Sequence, residues 1–174
     1  MIMKNRIETK RLTIFPLSYD EQVDYLACDF SLEKKFGLNL MERTISEPLK
    51  EVIEQVILPN LKENLHNAHY ISTWIMIDKI QKVIVGSFIF KDGPSSNGEI
   101  EIGYGTEPAF FGKGYMTEAV AGVVLWAENN AEINALIAET EKNNIASQKV
   151  LINNNFIQSS TNEEMIWWKL PTNK

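Results

Sequence analysis

Between Glu99 and Glu128 the spacing of apolar residues changes abruptly from the period of a strand to the period of a helix. Ile100, Ile102 and Tyr104 alternate as on a half-buried strand. After a loop holding Gly112 and Gly114, the residues Met116, Ala119, Val120, Val123, Val124 and Ala127 fall on one helical stripe. A strand, a glycine loop and a helix with one apolar face must then follow one another, with helix packed on sheet. The first amides of such a helix have no intrahelical acceptor, and its dipole adds about half a positive charge, so the junction stabilises a phosphate. Gly112 and Gly114 let backbone approach an anion without a Cβ in the way. The same pair would also serve an ordinary turn.

The rest of the chain supplies the sheet and its cover. Leu12 and Ile14 alternate in Arg11 to Leu17, a strand that Pro16 ends or places at an edge. Ser18 with Glu21 forms a capping box ahead of Val23, Leu26 and Phe30 at helical spacing. A second helical pattern runs from Ser46 through Leu49, Val52, Ile53, Val56 and Ile57 to Pro59, whose missing N–H must end or kink it. YISTWIMID, VIVGSFIF and EIEIGYGT are then three strands joined by short turns, which predicts an antiparallel meander. Beyond the amphipathic helix come a strand at 133–140, a short helix at 144–153 and two strands at 156–160 and 165–170. The expectation is a single α/β domain over 1–174, with one mixed central sheet of about seven strands and about four helices.

Composition narrows the partners. Seventeen basic and twenty-three acidic residues give a net charge of −6, which argues against a phosphate-backbone surface for nucleic acid. One cysteine, Cys28, allows no intramolecular disulfide, and no apolar run approaches the roughly 20 residues that span a membrane, so a cytoplasmic protein is the expectation. His66 and His69 lie three apart with no cysteine nearby, so no metal site is expected and both histidines read as surface residues.

Two familiar phosphate loops are excluded by position. A Walker A loop needs Ser or Thr after its Gly-Lys, but Lys113 is followed by Gly114, and its leading glycine would fall on Glu107. A dinucleotide fingerprint starting at Gly112 would need glycine at Thr117, and one starting at Gly103 would need it at Pro108. The segment instead resembles motif A of the GNAT superfamily of acyl-CoA N-acyltransferases, Gln or Arg, two residues, Gly, one residue, Gly or Ala. Gly112 and Gly114 match, and Ala109 departs from the polar first position. IEIGY before the loop, FFGKGYMTEA after it and the opening ETKRLTIFPL look like the branch of ribosomal-protein N-terminal acetyltransferases that contains RimJ and RimL. A second match follows in ETEKNNIASQKVLINNNF, where Asn144, Ser147, Val150, Leu151 and Phe156 fit and Asn155 replaces a glycine. Asparagine tolerates left-handed backbone, so the turn can survive that change.

The resemblance implies a GNAT-like sheet splayed at the acyl-CoA site, with a β-bulge on the central strand and a free edge at Tyr104, Gly105 and Thr106 that pairs with the pantetheine arm. It implies that acetyl-CoA is the cosubstrate, its pyrophosphate on the main chain of Phe111, Gly112, Lys113, Gly114, Tyr115, Met116 and Thr117. Asn144 and Ser147 would lie along the arm. The implied reaction is direct attack of an amine on the thioester in a ternary complex. The amine must first lose a proton, and Glu101, on the strand face opposite the isoleucines, is the candidate base. The family's tyrosine acid falls on Leu151, so Ser147, or a water held by Asn144 and Ser147, is the candidate substitute. Asn144 and Ser147 also suit a plain helix N-cap and first turn, and Glu101 beside Glu99 also suits a solvent-facing strand. Phe30 to Tyr70 would form the acceptor wall. The partners implied are acetyl-CoA and an amine acceptor, the protein being a monomer or homodimer. A non-catalytic acyl-CoA sensor of the same fold is the competing reading, and a phosphate-binding regulatory module unrelated to CoA is a third.

Overall fold

The computed structural model describes residues 5–172. The Ser18 amide donates to the Glu21 carboxylate at 2.8 Å and the Glu21 amide donates to the Ser18 hydroxyl at 3.4 Å. This capping box opens helix α1 (Tyr19–Ala27), and α2 (Ser31–Phe36) follows after a left-handed pair of turns at Cys28 and Phe30. The predicted second helix is one rod in three parts, α3 (Glu47–Val52), a π-turn over Ile53–Ile57 and α4 (Leu58–Glu63). Pro59 does not end it. The wider π-turn, in which the Leu58 amide reaches back to the Ile53 carbonyl, delivers the chain to Pro59 at the first turn of α4, where a missing N–H costs nothing.

A short α5 (Ala68–Ile71) leads into the sheet. Its strands are β1 (Ile7–Glu8), β2 (Leu12–Pro16), β3 (Thr73–Asp78), β4 (Val83–Phe90), β5 (Glu99–Thr106), β6 (Ala135–Glu141), β7 (Ile157–Thr161) and β8 (Met165–Pro171), in the order β1-β2-β3-β4-β5-β6-β8-β7. Eight strands replace the expected seven because Ile7 and Glu8 pair with Ile14 and Thr13. Helix α6 (Tyr115–Glu128) and α7 (Ile145–Asn153) complete the fold, with six helical bodies in place of four. Asn155 adopts φ 63° in the turn after α7, the left-handed backbone expected of it.

The sheet has a core on each face. On one, Ile100, Ile102, Phe88 and Phe90 meet Met116, Val120 and Val123 of α6 and Leu151 of α7. On the other, Phe15, Ile75, Ile77 and Ile84 meet Tyr25 of α1, Leu32 of α2 and the α3–α4 rod through Ile53, Ile57 and Leu61. Among the described residues no helix is long and apolar enough to cross a membrane.

The functional consequence lies between β5 and β6. These two strands, the one parallel pair among the described residues, are in register only at Glu99↔Ala135, Ile100↔Leu136 and Glu101↔Ile137. Strand β5 then stays with β4 up to Gly86↔Thr106, while β6 stays with β8 up to Glu141↔Met165. The arms 102–106 and 138–141 therefore lack a shared ladder. The bulge expected on β5 is not there: β4 and β5 stay in step from Phe90↔Ile102 to Gly86↔Thr106, and the irregularity sits at Met76/Ile77 of β3. Strand β4 approaches β5 closely there, since a Cβ at Gly86 would come within 2.5 Å of the Gly105 carbonyl oxygen.

Candidate active site

The gap between the two arms is bridged on each face of the sheet. On the α6–α7 face, Tyr104 of β5 donates from its hydroxyl to the Ser147 carbonyl at 3.2 Å and accepts from the Ser147 hydroxyl at 2.9 Å. On the other face, Lys91 forms ion pairs with Glu101 of β5 and Glu139 of β6. Glu101 is thus on the face opposite Ile100 and Ile102, as its position predicts, but its carboxylate is engaged by a lysine. Burial alone would lower the Lys91 ammonium; the two carboxylates outweigh it and hold its pKa above the ordinary lysine value. Burial pushes the Tyr104 phenol up to about 12, against a smaller opposing pull from its hydrogen bond with Ser147.

At the far end of β5 the chain passes through a 3-10 turn (Pro108–Phe110) into the glycine loop. Gly112 and Gly114 have φ 72° and 74°, conformations that L-residues rarely adopt, and Gly114 is the N-cap of α6. The amides of Gly112, Gly114, Tyr115, Met116 and Thr117 donate to no acceptor among the described residues. Five free N–H groups at the positive end of a 14-residue helix are the donor set an oxyanion of phosphate requires.

The side chains around these amides divide into two groups. Tyr115 and Met116 are each 5% exposed and belong to the core, so only their main chain faces an anion. Phe111 is exposed, and the Lys113 ammonium lies 5.0 Å from the Phe110 ring. Arg11, from the β1–β2 turn, fastens the loop: its guanidinium donates to the Lys113 carbonyl at 3.0 Å and to Glu118 at 2.6 Å, and stacks over Tyr115. Burial would raise the Glu118 carboxyl, but hydrogen bonds from Thr9 and from the Arg11 amide and guanidinium hold it below its ordinary value. Arg11 and Glu118 are 107 positions apart, and local pattern reading gave no sign of their pairing.

Asn144 is the N-cap of α7, its side-chain oxygen accepting from the Ser147 amide at 3.1 Å. The capping reading of Asn144 therefore holds. Leu151 is fully buried in the core and offers no proton donor. The hydroxyl that reaches Ser147 comes from β5 instead. Alternation on β5 could have placed the Tyr104 side chain on the helix side, but not beside Ser147.

The α1–α2 side holds a buried polar cluster. The Glu33 and Arg43 side chains, each 2% exposed, form an ion pair, and Arg43 also donates to the Tyr25 carbonyl and lies over the Tyr25 ring. Tyr25 in turn donates to Ser87 of β4 at 3.2 Å, on the same face as Glu101. Burial pushes the Cys28 thiol up despite Arg43 nearby, which disfavours the thiolate. His69 is not a free surface residue: its ring packs against Tyr70 and Trp126, and burial lowers its pKa. Among the described residues no three His, Cys, Asp or Glu side chains are grouped to hold a metal ion.

Residues 11–157 match the acetyltransferase (GNAT) domain family. A curated relative, the uncharacterized N-acetyltransferase YjdG of Bacillus subtilis (strain 168), is 34% identical over 96 residues; the match covers 55% of this chain and 57% of that protein's length. Among solved structures, a ribosomal-protein-S5-alanine acetyltransferase from Vibrio fischeri superposes with a TM-score of 0.68 at 19% identity, over 96% of each chain. The ribosomal L7/L12 alpha-N-protein acetyltransferase RimL, in complex with coenzyme A, gives 0.66 at 16% identity over 96% of this chain and 98% of its own. At such identities these two likenesses speak for the fold.

Proposed function

The chain belongs to the GNAT acetyltransferase family, and on that premise we propose that it transfers the acetyl group of acetyl-CoA to a primary amine by direct attack in a ternary complex. The observation that carries the proposal is the pairing of two features on one strand. Strand β5 has a free edge at 102–106 next to the splay, and its continuation ends in five acceptor-less amides at the start of α6. An acyl donor with a pyrophosphate at one end and an extended amide-bearing arm matches both.

In this reading the main chain of Phe111 to Thr117 holds the pyrophosphate, and Tyr104, Gly105 and Thr106 hold the arm through their backbone. Asn144 and Ser147 line the opposite arm of the gap. Glu101 receives a proton from the acceptor ammonium, directly or through one water, from the face that α6 and α7 leave open, and the amine so formed attacks. That face carries Glu101 and Glu139 against the single cation of Lys91, and the net negative charge favours a cationic acceptor over an anionic one. The amine is a small molecule or a protein N-terminus; the structural neighbours named as ribosomal-protein acetyltransferases bring in the second possibility.

A non-catalytic acyl-CoA sensor is favoured by one observation, that Leu151 is buried where a tyrosine acid would stand. The two readings separate in one assay. Free thiol released from acetyl-CoA is followed with and without a panel of diamines, aminoglycoside-type amines and short peptides with free N-termini. The enzyme reading predicts release that depends on at least one amine and yields the matching acetamide by mass. Saturable acetyl-CoA binding without release on any amine would favour the sensor.

A further inference from the structure

We propose that the Tyr104 hydroxyl is the hydrogen-bond donor to the sulfur of CoA as the thiolate departs, with Ser147 as the positioning residue behind it. The proposal rests on the reading of the β5–β6 gap as the acyl-donor cleft. With the pyrophosphate on the amides of 112–117, an arm paired to the edge of β5 runs back from Thr106 toward the vertex at Glu101. Residues 102–106 span about 13 Å at roughly 3.3 Å per residue. The sulfur end of the arm then lies in the part of the gap that Tyr104 spans.

The geometry supplies a donor there. Tyr104 starts on one arm and its hydroxyl ends on Ser147, in the helix that follows the other arm, so it crosses the gap on the α6–α7 face. Its proton is held only by the Ser147 carbonyl at 3.2 Å, a partner that a charged thiolate would outcompete. The Ser147 hydroxyl would keep donating to the phenol oxygen at 2.9 Å, which strengthens the phenol as a donor. Glu101 lies on the opposite face of the same strand. The ammonium proton is thus collected on one face while charge on sulfur is met on the other.

The step balances without a proton leaving Tyr104. One ammonium proton passes to Glu101 or water, the N–C bond forms from the freed lone pair, the second N–H proton passes to water as the amide forms, and the C–S bond breaks with its electron pair going to sulfur. A phenol pushed up to about 12 would give its proton to a thiolate of ordinary pKa about 8.5 only against a gap of roughly 3.5 units. Tyr104 therefore donates a hydrogen bond and remains neutral, and the thiolate takes its proton from water after release.

The test reads the sulfur itself. The thiol of bound CoA is titrated by the ultraviolet absorbance of its thiolate, as the difference between protein with and without CoA, in the parent, Tyr104→Phe and Ser147→Ala. The parent should lower the bound thiol's pKa relative to free CoA. Tyr104→Phe should return it upward by about 1 to 2 units, the scale of one hydrogen bond to a charged group, and Ser147→Ala should move it part of the way. In turnover, Tyr104→Phe should lower kcat about tenfold or more with acceptor KM unchanged. CoA bound by Tyr104→Phe with an unchanged thiol pKa would overturn this assignment alone. No binding of CoA by the parent would overturn the cleft reading and this assignment with it.

Discussion

Glu101→Gln lowers the rate of acetyl transfer at neutral pH by about 10²-fold and leaves acetyl-CoA affinity nearly intact, because a base acts in the transition state. An alkyl ammonium has a pKa of about 10.4, so almost every acceptor arrives protonated at pH 7. As pH rises toward that value more acceptor arrives as free amine, and the deficit of the variant shrinks. Glu139→Gln is the control. It removes the other carboxylate from Lys91 and leaves Glu101 in place, so a loss that came only from breaking the ion pairs would appear in both variants. A pH–rate profile for Glu101→Gln that overlays the parent would make Glu101 a partner of Lys91 and nothing more. An unchanged kcat with a raised acceptor KM would make it a binding carboxylate.

Arg43→Met destabilises the fold by about 3–5 kcal/mol, read as a drop in the denaturant midpoint at unchanged slope. Glu33 and Arg43 are almost entirely removed from water, and the substitution leaves the Glu33 carboxylate buried without its cation. It also frees the Tyr25 carbonyl and ring from the guanidinium, loosening α1 and α2 against β4. The Glu33→Leu/Arg43→Met double variant should recover most of the loss, since exchanging both ends of a buried pair for apolar groups costs far less than removing one. A loss under about 1 kcal/mol for Arg43→Met would mean that water reaches Glu33 and that this wall is not held as described.

Local periodicity located the parts of this site better than it located their partners. Strands 83–90 and 99–106 and the start of α6 were legible because apolar spacing and glycine placement specify them within a short window. The Asn144 cap and the left-handed Asn155 were legible from side-chain chemistry alone. The splay was foreseen through the family resemblance but its cause was not. Its extent is set by where the β5–β6 ladder stops, which depends on strands far apart in sequence. Lys91, Glu139 and Arg11 were missed for the same reason. A surface-pattern lysine near a turn looks like any solvated lysine until the sheet brings it between two carboxylates. Pro59 predicts an end or a kink, and the π-turn that carries the helix past it leaves no signature in apolar spacing.

The central claim is that the amides opening α6 hold the pyrophosphate of acetyl-CoA, and thermal unfolding with added ligand tests it most directly. Stabilisation should follow RT ln(1 + [L]/Kd), about 2.7 kcal/mol at a hundredfold excess over Kd, for CoA and acetyl-CoA, with ATP and NAD giving less. Gly114→Val places a β-branched residue at φ 74°, where a side chain costs about 1–2 kcal/mol or more, and re-aims the free amides. It should unfold at a somewhat lower temperature and lose most of the ligand-dependent shift, since its largest effect is on the donor set. A parent protein that shows no shift with millimolar CoA or acetyl-CoA, or a Gly114→Val protein that keeps the full shift, would contradict the account.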